Sequence, residues 1–410
     1  MKRISVVFHA HEPIRLRNFR FFETGSYAAY FDEESLETRM RKLNKNLYFP
    51  LGNFLLKKFQ ETQHAFKISV SLSGMMLDFL DKKSSESIRL LKELNHHGGV
   101  EFLAESYSHS VYARTNEQEF LTQVMAQSKK IKHHFGQVPQ VFFNINGQHP
   151  FQVFKNSQSL GIKHMLQPFP IDLLGHHEPF ATYKSMDFKG GICFAHDLFD
   201  LKYLQGSSKA ILNGARKFVS WVASQSDADE FYCIYLDMNR LSDAKVVANV
   251  KVFLNELIQA AEDYGVGFVT PTEYFSSCQS EKKAISWKAV KESAQEDILC
   301  PMQQELLELF AKIQQKVYQT NNSALLKNWF YIQDQVNFNL FDQATDPLVE
   351  KNELVQHYIA LRNILEDIQA KCELLGKMGN AAPEYPILSV QAVPSSALKG
   401  ISNNSTWMLY

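Results

Sequence analysis

Short apolar runs punctuate the first two thirds of the chain, and longer segments with helical spacing fill the gaps between them. The runs that read as strands are Ile4–Phe8, Phe66–Leu72, Val100–Leu103, Val141–Ile145, His164–Leu166, Ile192–Phe194, Phe231–Leu236 and Gly267–Val269. Most are continuously apolar, the pattern of parallel strands buried on both faces. The clearest helix between them is Asn116 to Phe135. Thr115 and Gln118 read as a capping box, Phe120, Val124 and Ile131 as its buried face, and Gly136 as its stop. Strands alternating with helices predict a parallel sheet, open or closed.

The pattern changes after residue 276. Leu306, Phe310, Ile313 and Val317 repeat at helical spacing, as do Leu354, Tyr358, Leu361, Leu365, Ile368, Cys372 and Leu375. No strand alternation separates them, so a helical bundle is expected there. Residues 383–410 are rich in Pro, Ser and Asn without a period and read as an irregular tail. The expected organisation is a β/α barrel over 1–276, a helical region over 277–382 and the tail, with no internal repeat.

Composition narrows the choices of partner. The chain has 410 residues, 45% hydrophobic, and a formal net charge of −1. That balance offers no electrostatic case for nucleic acid or an acidic membrane. The densest basic run, Lys129, Lys130 and Lys132, reads as a solvated helix face. The apolar run after Met1-Lys2-Arg3 is too short for a signal-peptide core, and no apolar stretch approaches the ~18 residues needed to span a bilayer. Cys193, Cys233, Cys278, Cys300 and Cys372 are odd in number and form no CxxC pair. This argues against a disulfide framework or a structural zinc site and for a reducing, cytoplasmic setting. The sequons at Asn321, Asn403 and Asn404 then carry no weight.

In a parallel α/β barrel, chemistry gathers at the C-terminal ends of the strands. Here the first strand ends His9-Ala10-His11-Glu12-Pro13. The third begins Val100-Glu101 and runs into Glu105-Ser106-Tyr107-Ser108-His109. The fourth ends at Asn144 and Asn146, the sixth is followed by His196-Asp197, and the seventh ends Asp237-Met238-Asn239. These ends predict a polar pocket on one face. Each residue also has a plainer reading. His9 and His11 share a strand face and could ligate a metal, hydrogen-bond hydroxyls or pair with a carboxylate. Glu101 within an apolar strand needs a partner or a polar cavity. Asp237 could be a helix cap or a buried acid. The pairs His96-His97, His133-His134 and His176-His177 read as non-functional, the first two at helix ends where His complements the dipole.

The order of these pieces resembles glycoside hydrolase family 57, in its α-amylase-like branch. The family's His-Gln-Pro motif is echoed by His11-Glu12-Pro13-Ile14-Arg15-Leu16. Its Gly-x-Val-Glu strand leading to Ala-Glu-Thr-Tyr and His-Ser is echoed by Gly98 through Ser110. Ser69-Val70-Ser71-Leu72-Ser73-Gly74, Glu119-Phe120 with Gln123-Val124, Phe135-Gly136 with Pro139, and Trp329 with Ile332-Gln333 match further motifs. The resemblance implies a (β/α)7-type barrel followed by a helical C-terminal region, and α-glucan substrates. It also implies a retaining mechanism with a Glu nucleophile and an Asp general acid/base. The acid/base falls on Asp237. The nucleophile, in an Asn-Thr-Glu context, falls on Asn146 in Asn144-Ile145-Asn146. A second glutamate of the site falls on Asn239. His11 and Glu101 fall on sugar-contacting positions, and with His9, Glu105, His109, Asp197 and Asn239 from the strand ends they are the expected substrate-binding residues.

A carboxamide cannot form a covalent glycosyl ester. No Asp or Glu lies between Phe135 and Leu160, so no shift of register restores a carboxylate to strand four. The leading expectation is therefore an α-1,4-glucan binder with impaired or absent hydrolase activity, no cofactor and no metal. One alternative is an active hydrolase or glucanotransferase using Glu12, Glu105 or Asp197 as a relocated carboxylate. Glu12 stands where the family usually has Gln. Another is metal-dependent hydrolysis with His9, His11 and Asp197 as ligands. Oligomeric state does not follow from the sequence.

Overall fold

The computed structural model describes residues 2–26, 29–147, 150–169, 180, 183–185, 190–225, 231–241, 243–277, 283–285, 300–342 and 351–377. His176, His177, Cys278, Asn403, Asn404 and the expected tail at 383–410 lie outside them. The chain forms two compact units. The first comprises Met1–Glu12, Thr38–Glu105 and Val124–Ala294, and the second Pro13–Glu37, Ser106–Gln123 and Gln295–Tyr410.

The first unit is a parallel barrel. Its strands are β1 (Arg3–Ala10), β2 (Ile68–Leu72), β3 (Val100–Leu103), β4 (Val141–Phe143), β5 (His164–Pro168), β6 (Tyr183–Ser185), β7 (Gly191–Asp197), β8 (Tyr232–Asp237), β9 (Gly267–Phe268) and β10 (Lys283–Ile285). Seven of them run in the order β3-β2-β1-β8-β7-β5-β4, each parallel to its neighbour. The two ends of this row meet. Ala104 N–H donates to the Val141 carbonyl at 2.9 Å, and Phe143 N–H donates to the Ala104 carbonyl at 2.8 Å. β9 adds to the start of β1, and β6 lies antiparallel to β7 with β10 beside it.

Every strand candidate read from the sequence falls on a strand, Val100–Leu103 with the same bounds and the others with shifted ends. β4 stops at Phe143 because the chain turns there, Gly147 N–H donating to the Asn144 carbonyl at 2.8 Å. Helices fill the crossovers. Ala244–Tyr264 is capped by the Asp243 carboxylate and ends at Gly265, whose φ of 68° a side chain would disfavour.

Alternate residues of the ring meet inside the barrel. Val7, Leu103, Val141, Phe143, Leu166, Cys193, Ala195, Cys233 and Tyr235 form one buried cluster, with Ile145 packed against it. Strand side chains alternate between faces, so two residues further on the same parity reaches His9, Glu105, Asp197 and Asp237. On β4 the equivalent step reaches Ile145.

The second unit is helical, with helices Pro301–Gln319, Ser323–Ile332, Val336–Asp342 and Lys351–Lys377. Leu306, Phe310, Ile313, Val317, Leu354, Leu361, Leu365, Ile368 and Cys372 are buried in it, as their spacing predicts, whereas Tyr358 and Leu375 of the same stripe are only half-buried. The earlier segments of this unit bring their own anchors. Gly25 N–H and the Tyr30 hydroxyl donate to the buried Asp367 carboxylate. Helix Glu117–Phe135 begins one residue later than the expected start at Asn116. Asn116, extended at φ −109°, accepts from Glu119 N–H at 2.9 Å, so Asn116 caps the helix in place of Thr115. No helix among the described residues is long and apolar enough to cross a membrane.

Candidate active site

Three neighbouring strands build the centre of the rim. β1 sets His9 opposite Asp237 on β8 and opposite Ser71 on β2. The loop leaving β3 then carries Glu105 to the same place. His9 Nε2 lies 3.5 Å from Glu105 Oε2, and His9 Nδ1 lies 3.5 Å from Asp237 Oδ1. The Ser71 hydroxyl donates to Glu105 Oε2. His9 and Glu105 are 2% and 1% exposed, whereas the Asp237 side chain is 27% exposed. The Phe143 ring meets His9 edge to face, with centroids 6.1 Å apart.

Of its two sequence readings, Asp237 takes the cap, and it is half-buried rather than a buried acid. It caps a short 3-10 turn, Met238–Arg240, by accepting from Asn239 N–H at 3.1 Å, and it still faces His9. The Asn239 side chain is exposed on that turn. Two residues beyond His9, His11 Nδ1 lies 2.9 Å from the Ser73 hydroxyl. Glu12 is ion-paired with Arg39 from helix Glu33–Leu43.

Burial dominates the electrostatics here. It pushes the Glu105 carboxyl above the usual carboxylate range, against the pull of His9 and Ser71. It pushes Glu12 up as well, against Arg39 and His11. Tyr48 ends a π-helical turn, Asn44–Tyr48, and its hydroxyl is raised by burial and by the nearby Glu12 and Asp237 charges. Single π turns frequently occur at functional sites.

The remaining candidates are placed differently. Asp197 ends β7 and is bound by Arg240 at 2.6 Å and by Phe199 N–H at 2.8 Å; Arg240 also stacks over the Phe199 ring. Burial raises the Asp197 carboxyl, and these two donors pull it back. Glu101 lies on β3 at the level of Ser69, four residues and about 13 Å of extended strand short of Glu105. Thr272 engages both of its oxygens, through its hydroxyl at 2.5 Å and its N–H at 3.1 Å. Asn144 turns its amide to Gln167 at 3.4 Å. Asn146 is half-buried on the turn after β4. His109 belongs to the second unit, where it is buried with a left-handed φ of 53°. The donors of the metal reading are thus engaged separately, His9 by two carboxylates, His11 by Ser73 and Asp197 by Arg240.

Ser71, Ser73, Arg39 and Tyr48 were not singled out as site residues from the sequence. The serines carried a signal, since Ser69, Ser71 and Ser73 form a polar stripe at every second position of a fully buried strand. Arg39 and Tyr48 carried none, because helical spacing does not reveal where a long side chain reaches.

Comparison with known proteins bears on what this rim does. The sequence model described as "Glycosyl hydrolase family 57" matches residues 5–291. A protein of Methanocaldococcus jannaschii, named provisionally as an alpha-amylase, is 27% identical over 187 residues, 45% of this chain. The match covers 39% of that relative's length. Among solved structures, the 4-alpha-glucanotransferase of Thermococcus litoralis matches 91% of this chain and 60% of its own, with a TM-score of 0.56 and 13% identity. A family 57 branching enzyme of Thermococcus kodakaraensis, solved with glucose, matches 91% of this chain and 90% of its own, with a TM-score of 0.62 and 11% identity. At these identities the likeness is one of fold.

Proposed function

The chain belongs to glycosyl hydrolase family 57, and on that premise we propose that the barrel rim binds α-1,4-glucan and hydrolyses it poorly or not at all. The observation that carries this reading is the contrast between strands at one rim. β1, β3 and β8 supply His9, Glu105 and Asp237. β4 supplies Phe143, Ile145 and two asparagines, with no carboxylate before Leu160. A retaining glycosidase needs two carboxyl groups flanking the bond, one as nucleophile. Imidazole and amide groups still hydrogen-bond sugar hydroxyls without it. Loss of a nucleophile costs on the order of 10⁶ in rate by protease analogy, or about 8 kcal/mol of barrier. Ground-state binding does not require that group.

The partner in this reading is glycogen or a maltooligosaccharide. Electrophoresis through a glycogen-containing gel tests it. Wild type is expected to be retarded in proportion to glycogen, and His11→Ala, shown by circular dichroism to be folded, is expected to run free. Wild type that runs unretarded at every glycogen concentration overturns the reading.

One observation favours a second reading, an active hydrolase or transferase with a relocated carboxylate. Glu105 and Asp237 flank His9, and Glu12 acts electrostatically on the same group. Product analysis by NMR that resolves the anomers decides between the readings. Turnover by wild type establishes the second, and no turnover with glucans of varied length and linkage removes it.

A further inference from the structure

The rim contains a proton-counting problem. Both nitrogens of His9 face a carboxylate oxygen, Nε2 toward Glu105 and Nδ1 toward Asp237, each at 3.5 Å. A neutral imidazole has one N–H and one lone pair. With both carboxylates ionised, one contact would set a lone pair against an anionic oxygen inside a buried site. The three groups need one further proton. It resides either on the ring or on one of the acids.

The surroundings of the two acids differ. Asp237 is partly exposed and accepts a backbone N–H from Asn239. Glu105 is fully enclosed, and burial is the largest influence on it, favouring the protonated acid. Besides His9, the charged groups acting on Glu105 include His11 and Asp237, and Asp237 in turn acts on Glu12, Tyr48 and Tyr235; His109 follows four residues after Glu105 in the chain.

We propose that Glu105 is a positioning residue which, as the neutral acid, donates its proton to His9 Nε2 and so fixes the ring with Nδ1–H directed at Asp237. Ser71, donating to the same oxygen of Glu105, holds that carboxyl in place, and the edge of Phe143 fixes the ring plane. The chain Ser71, Glu105, His9, Asp237 then runs in one direction and leaves Asp237 ionised and oriented at the open end. This deepens the proposed function, because it rests on Asp237 being the working carboxylate of the glucan site. Glu105 then acts through His9, without touching the sugar.

The test is long-range ¹H–¹⁵N NMR of the His9 ring in the free protein, assigned by the loss of its signals in His9→Gln. Wild type is expected to show a protonated Nδ1 and a bare Nε2, the tautomer that free histidine disfavours. Glu105→Gln, whose amide N–H replaces the acid proton, is expected to keep that pattern. Glu105→Ala is expected to lose it. Glucan affinity should follow, within about twofold for Gln and weaker by about tenfold or more for Ala. Two protonated ring nitrogens in wild type, or a protonated Nε2 with bare Nδ1, overturns the proposal. So does a Glu105→Gln ring that behaves like that of Glu105→Ala. If Glu105→Ala does not fold, wild type and Glu105→Gln still decide. The ring spectrum needs no glucan, so absent glucan binding would refute the proposed function and leave this result standing.

Discussion

Removal of Glu119 should cripple the helical unit. This carboxylate has no solvent exposure. It accepts from the Tyr318 hydroxyl at 2.6 Å, Gln333 Nε2 at 2.8 Å, Gln123 Nε2 at 3.1 Å, Trp329 Nε1 at 3.2 Å and Gln314 Nε2 at 3.2 Å. In Glu119→Ala three of these donors keep other acceptors. Gln123 reaches Gln333 at 3.0 Å, Gln333 reaches the Trp329 carbonyl at 3.2 Å, and Gln314 reaches Asn116 at 3.3 Å. The Trp329 indole N–H can only donate, and Trp329 is fully buried. The Tyr318 hydroxyl oxygen, however, still meets the Trp329 and Thr122 side chains, so the loss falls on the Tyr318 O–H that pointed at Glu119. A buried donor that loses its acceptor costs about 1–3 kcal/mol, and that is the expected loss. A whole domain commonly has only about 5–15 kcal/mol of stability. Urea unfolding followed by far-ultraviolet circular dichroism measures the loss, and Trp329 emission should shift to the red. Glu119→Gln keeps the shape but turns an NH₂ toward donors, and should cost about 2 kcal/mol. A loss below about 1 kcal/mol for Glu119→Ala would refute the reasoning, since it would mean that these donors find other acceptors or water.

Three further outcomes follow from the barrel. Asn146→Glu should convert a silent wild type into a protein that releases reducing ends from maltoheptaose, while an equally silent variant would move attention to Asn239. Thr272→Val should cost about 1 kcal/mol, the worth of a hydrogen bond, and leave glucan binding unchanged; a weakened affinity at unchanged fold would return Glu101 to the site. The buried Glu105 has its folded pKa raised above the ordinary value of 4.5, so the stability its proton contributes is full below that value and is lost as pH rises through the folded pKa. The urea midpoint of Glu105→Gln relative to wild type should therefore increase as pH rises from about 4.5 toward neutrality, and a difference independent of pH would contradict the assignment of the raised carboxyl.

The barrel was legible because parallel strands buried on both faces leave continuous apolar runs, and seven such runs form the ring. Other features depend on where distant segments meet. Glu101 and Glu105 share one face of one strand segment, so alternation alone does not tell which reaches the rim. The register settles it, setting Glu101 beside Ser69 and Thr272. The expected helical region began at residue 277, yet the second unit also draws in Pro13–Glu37 and Ser106–Gln123. Those segments are held by partners far along the chain. Gln123 and Gln333, 210 positions apart, are one such pair. Glu119, Gln123, Trp329 and Gln333 were visible as separate motif echoes, and only the fold joins them around one buried carboxyl group. Arg39 and Tyr48 lie in helical turns, Glu33–Leu43 and Asn44–Tyr48, and nothing in their sequence showed where the side chains reach.

The central claim is that this rim holds α-glucan without cleaving it, and calorimetric titration of the wild-type protein with maltoheptaose, followed by chromatography of the cell contents, tests it most directly. The account predicts a saturable heat of binding and recovery of intact maltoheptaose. Shorter oligosaccharides in the cell, or no heat of binding at any concentration, would contradict it.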